Sequence, residues 1–72
     1  MNEKIIKLKF IGDLEDVTFS TEEGSTFKIN VFEMNNLKYW LQDKSSSIVI
    51  SCEDGSELAL NKYTIQYANI YK

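Results

Sequence analysis

Glu33-Met34-Asn35-Asn36-Leu37-Lys38-Tyr39-Trp40-Leu41-Gln42-Asp43-Lys44 decides the architecture, because this stretch fits two secondary structures. Read as a helix near residues 34–43, Asn35 or Asn36 caps its start, and Met34, Leu37, Trp40 and Leu41 gather on one face while Lys38 and Gln42 turn to water. Read as a strand, Asn35-Asn36 becomes a tight hairpin turn that sets Glu33 opposite Lys38 and Lys28 opposite Asp43. The helix is preferred, since four large apolar residues agree on one face only in that conformation.

Upstream, residues 3–11 alternate at period two, with Ile6, Leu8 and Phe10 on one side and Lys7 and Lys9 on the other, the pattern of a half-buried strand. Gly12-Asp13 turns the chain into a second run, 15–21, where Val17 and Phe19 share a face. Glu22-Glu23-Gly24 reads as a three-residue hairpin connection with Gly24 in a left-handed backbone. Phe27, Ile29 and Val31 then mark a third strand over 25–32, completing an antiparallel meander.

Downstream of the polar loop 43–47, Ile48, Ile50 and Cys52 alternate in a strand, and Glu53-Asp54-Gly55 turns the chain. Leu58 and Leu60 point inward from the next strand, Asn61-Lys62 breaks it, and residues 63–71 form the last, with Tyr63, Ile65, Tyr67 and Tyr71 on one face. The fold class expected is a β-rich single domain over residues 1–72: mostly antiparallel β, a small barrel or curled sheet of five to six strands, with one short helix covering an open end.

Composition narrows the chemistry. The 72 residues include no His, no Arg and no Pro, and all eight positive charges are Lys. The side chain best suited to proton transfer near neutrality is therefore missing, as is the rigid fork that grips phosphates. Cys52 is the single cysteine and has no partner for an internal disulfide, which fits a reducing, cytoplasmic setting. Its alternation with Ile48 and Ile50 marks it as a small core residue, and no His is present to activate it as a nucleophile. No apolar run reaches the length of a membrane span, and the N-terminus does not read as a signal peptide. The richness in Lys, Asn, Ile and Tyr suits an AT-rich genome, such as that of a low-GC bacterium or its phage.

Charge is unevenly spread within a net −3. Residues 13–23 hold Asp13, Glu15, Asp16, Glu22 and Glu23 with no base, and Glu53, Asp54 and Glu57 cluster in 45–61. If these turns lie together they form an acidic pole that attracts a basic partner; otherwise they are only solvated turns. The Asp13–Asp16 carboxylates lack calcium-loop spacing, so no metal and no cofactor are expected. Tyr63, Tyr67 and Tyr71 recur every fourth residue. Their simplest placement is inward with hydroxyls at the rim; a contact surface comes second, and a base-stacking platform with Lys7, Lys9, Lys62 and Lys72 third. Trp40 suits either an interface anchor or the core.

The expected function is that of a non-enzymatic protein-binding module, in its most specific form a small phage or mobile-element inhibitor occluding a basic surface of a nucleic-acid-handling host protein. Its contact residues are expected to be Asp13, Glu15, Asp16, Glu22, Glu23, Glu53, Asp54, Glu57, Trp40, Tyr67 and Tyr71. The alternatives are a small barrel binding single-stranded nucleic acid, disfavoured by the acidic total and lack of Arg, and a structural homo-oligomer assembled through an open first or last strand.

Overall fold

Six strands and one helix follow in the order β1 (Ile5–Phe10), β2 (Val17–Ser20), β3 (Phe27–Lys28), α1 (Val31–Gln42), β4 (Ser47–Ser51), β5 (Glu57–Asn61) and β6 (Ile65–Tyr71), with a 3₁₀ turn, Lys62–Thr64, leading into β6. They were obtained from a computed structural model, which describes residues 4–71. Of the first expected strand, Glu3 lies outside the described residues, as does Lys72. The strands form two sheets, one of order β3-β2-β1-β6 and one hairpin β4-β5. The arrangement is β-rich and mostly antiparallel, and it curls around a shared core without closing into a barrel.

Alternation drives β1 as its sequence implies. Ile6 and Leu8 are fully buried opposite Phe19 and Val17 of β2, while Lys7 pairs with Thr18 on the other face. The β4-β5 hairpin follows the same logic, since Ile50 faces Leu58 and Ile48 faces Leu60. These inner faces meet Met34, Leu37 and Trp40 of α1 in a single apolar cluster, with Leu41 and Phe27 packed against it. Burying such side chains is worth about 1.5–3 kcal/mol each, which is what holds a chain this small together.

Three expectations are corrected here. First, the meander ends after two strands. β3 is only two residues long and runs parallel to β2, pairing Phe19 with Phe27 and Ser20 with Lys28, so Glu22-Glu23-Gly24 is no hairpin turn. The chain instead loops back along β2, and Gly24 takes a φ of 84° in that return, a conformation that favours glycine. Phe19 and Phe27 lie 5.7 Å apart between ring centroids, so the parallel contact is held by aromatic packing as well as hydrogen bonds.

Second, the helix starts three residues early. Asn30, and neither Asn35 nor Asn36, is its N-cap: the Asn30 Oδ1 accepts a 2.8 Å bond from the Glu33 amide. Val31, which continues the strand alternation in sequence, therefore sits in the first helical turn and is exposed. Third, the register between β1 and β6 shifts between Lys9 and Phe10: Phe10 pairs with Ile65 but Lys9 with Tyr67, leaving Gln66 as an extra residue. The bulge places Ile65 against the core while Tyr67 and Tyr71 fall on the outer face with Lys9 and Lys7. Tyr63 lies in the 3₁₀ turn, exposed, and shares no strand face with them.

Candidate functional site

The β1–β2 connection, residues 11–16, is built to project. Asp13 N–H donates to the Phe10 carbonyl at 3.2 Å, and Gly12 adopts a φ of 91° that closes the turn. The Lys9 ammonium folds over it, donating to the carbonyls of Phe10 and Asp13, so this cation is committed to the turn's own backbone. Asp13, Glu15 and Asp16 are all exposed, and among them Leu14 stands 98% exposed, with Ile11 also uncovered. A leucine with almost no neighbours, flanked in the loop by three exposed carboxylates, makes an apolar tip on an acidic turn. Beside it, an open groove of about 450 Å³ runs between residues 15–18 and 24–27.

The remaining acidic turns partly converge. Lys28 Nζ lies 3.4 Å from the Glu23 carboxylate and 3.7 Å from that of Glu53, and Glu53 N–H donates to the Lys28 carbonyl at 2.8 Å. Lys28 thus ties the 22–23 and 53–54 turns together, and it offsets one of their four negative charges. Glu22 is exposed, its amide held by the Ser20 hydroxyl at 3.0 Å. Asp54 accepts from Ser56 Oγ at 2.6 Å and Ser56 N–H at 2.9 Å, and these bonds hold its carboxyl below the usual range. Glu57 accepts a long 3.5 Å bond from the Ser51 hydroxyl. The 13–16 acids occupy the opposite end of the β1–β2 pair from Thr21 and Glu22.

Trp40 is a core residue, 3% exposed, and supplies no exposed anchor. Lys62 roofs it, with Nζ 4.9 Å from the ring centroid, and caps the end of α1 by donating to the Asp43 carbonyl at 2.7 Å. That removes Lys62, like Lys9, from any basic platform. What remains on the outer face of the larger sheet is Tyr67 and Tyr71, with Lys7 Nζ 5.7 Å from the Tyr71 ring centroid. The inward placement expected for Tyr63, Tyr67 and Tyr71 is thereby corrected, since all three are exposed.

Sequence reasoning missed Leu14 and Lys28. Leu14 carried one usable signal, an isolated apolar residue between acids and outside either neighbouring alternation; Lys28 carried none, because its partners lie in two separate turns. Cys52 is buried in the core, and among the described residues no group of three or more His, Cys, Asp or Glu side chains is placed to hold a metal ion. No described helix is long and apolar enough to cross a membrane. Compared with known protein families, curated proteins and solved structures, the chain matches none.

Proposed function

We propose that this chain is a non-enzymatic module that binds another protein through its β1–β2 loop, seating Leu14 in an apolar pocket rimmed by basic residues. The exposure of Leu14 in the same loop as the exposed acids Asp13, Glu15 and Asp16 carries the reading. Burying a leucine in a partner recovers about 1.5–3 kcal/mol, enough to make it the anchor of a small interface. The surrounding carboxylates add orientation and speed of encounter with a cationic rim. A cytoplasmic inhibitor that masks the basic, nucleic-acid-handling surface of a host protein is the specific form this activity takes, consistent with the acidic balance of the chain. The test is capture of host proteins on immobilised wild type, Leu14→Ser and the triple reversal Asp13→Lys, Glu15→Lys, Asp16→Lys. A partner retained by wild type, lost from both variants and weakened by salt supports the reading. Equal retention by all three sinks it.

Single-stranded nucleic acid has one observation in its favour, the exposed Tyr67 and Tyr71 beside Lys7. With Lys9 and Lys62 committed elsewhere, too few cations among the described residues face that surface to neutralise a phosphate backbone. Quenching of tyrosine fluorescence by oligonucleotides at low salt tests it directly.

A further inference from the structure

β6 is the outer strand of the larger sheet, hydrogen-bonded to β1 on one side only. Natural edges of this length are usually blunted by lysine, proline or a bulge within the exposed run. Here residues 63–71 carry no charge and no proline, and the bulge at Gln66 falls before the segment Tyr67-Ala68-Asn69-Ile70-Tyr71. That segment reads alike from both ends: tyrosine, aliphatic, asparagine, aliphatic, tyrosine. We propose that β6 pairs with β6 of a second copy of this chain, antiparallel about a two-fold axis at Asn69, to make a continuous eight-stranded sheet.

The register follows from the palindrome. With Asn69 opposite its own copy, Tyr67 of one chain faces Tyr71 of the other on the outer side, twice over, and Ala68 faces Ile70 on the inner side, also twice. Cross-strand aromatic pairs and aliphatic pairs are the favourable units of sheet assembly. The residues concerned have surface left to cover: Tyr67 is 49%, Tyr71 46% and Ile70 38% exposed. An unrelated strand supplies no such match along its whole length, whereas a second copy supplies it by symmetry. A shift of one residue destroys the match, setting Tyr against Ile and turning one chain's outer face to the other's inner face.

The contact involves five residues per chain, small against a stable complex, so the dimer expected is weak and transient. Sedimentation equilibrium of the wild-type chain should show the mean mass rising from monomer toward twice that value as concentration is raised toward the solubility limit. Asn69→Lys, an exposed change that places two ammonium groups face to face, should leave the circular dichroism unchanged and hold the chain monomeric. The register is read separately by Asn69→Cys. Opposite residues in antiparallel strands fall within disulfide range, so this variant should form a covalent dimer in oxidised glutathione. Tyr67→Cys, which faces Tyr71 of the other chain, should not, and wild type controls for the buried Cys52. A wild-type chain still monomeric at the highest concentration at which it stays in solution overturns the proposal. Cross-linking of Tyr67→Cys as fast as Asn69→Cys overturns it as well.

Discussion

The carboxylate of Glu33, in the first turn of α1, accepts the Ser51 amide at 2.6 Å through Oε2 and the Asn36 side-chain amide at 3.2 Å through Oε1. Glu33 stands three residues after the N-cap, where a glutamate commonly turns back to the cap's own amide. Here its carboxylate reaches the last residue of β4 instead. One side chain thereby serves the positive end of the helix dipole and fastens the small hairpin to the helix. This bond matters because the two sheets share no ladder; side-chain packing, the backbone bond from Glu53 N–H to the Lys28 carbonyl and a few side-chain links join them.

Glu33→Ala should cost about 1 kcal/mol in urea unfolding, less than the ~1.5–3 kcal/mol of a bond to a charged group because water screens this exposed site. Glu33→Gln retains an acceptor and should lose about half as much. The sharper readout is local: amide exchange at Ser51 should accelerate in the alanine variant while that of Leu8 in β1 follows only the global change. Unaltered exchange at Ser51 would show that the bond does not persist in solution.

Lys62 reaches across from the 3₁₀ turn to cover Trp40 and cap the end of α1, with an ion pair to Asp43 at 3.3 Å. A helix with no basic residue in its last turn gains one from elsewhere in the chain. Lys62→Met keeps the apolar stem and removes the charge; Lys62→Ala removes both. Destabilisation should rise in that order, to about 1–2 kcal/mol for alanine. Trp40 emission should move to longer wavelength and become more open to acrylamide in Lys62→Ala, and should shift little in Lys62→Met.

How much of this fold is legible in the sequence depends on how local each determinant is. The β4-β5 hairpin is legible because two alternating runs flank Asp54-Gly55, although Cys52 falls just outside the ladder and Asn61, expected to break the second strand, pairs within it. The buried face of α1 is legible for the same reason, through Met34, Leu37 and Trp40. Its start is not, since Phe27, Ile29 and Val31 keep strand alternation while the Asn30 side chain captures the Glu33 amide and ends it. The direction of β3 is set by the return loop and by Phe27 packing on Phe19, a non-local outcome. The faces of Tyr67 and Tyr71 hinge on a single extra residue, Gln66, whose presence shows only in the pairing with β1. Leu14 escapes because hydrophobicity alone argues for burial, and only the surrounding turn holds it out.

Asn30 offers a direct check on the helix start. Asn30→Ala should cost about 1 kcal/mol, and Asn30→Asp or Asn30→Ser only a few tenths, because both restore a side-chain acceptor for the Glu33 amide. Alanine at Asn35 or Asn36 carries no capping penalty. A large loss at Asn35 together with none at Asn30 would move the helix start back to the position the sequence alone implies.

Asp54 gives the fold an acid-sensitive turn. Its carboxyl is held below the ordinary value of 3.8 by the Ser56 hydroxyl first and the Ser56 amide second, both of which bond the charged form. A group whose folded value is depressed contributes stability above its unfolded value and loses it as pH falls through the folded one. The turn's contribution should therefore be complete at neutrality, begin to fade below about pH 4, and vanish once the folded carboxyl is protonated too. Carboxyl-carbon NMR titration should place Asp54 below an ordinary aspartate, and Ser56→Ala should move it back up by removing the larger cause. The stability difference between wild type and Ser56→Ala should shrink over the same acidic interval and stay constant above it. An Asp54 that titrates at the ordinary value in the wild-type chain would mean the Ser56 bonds do not form, leaving Gly55 alone to set the turn.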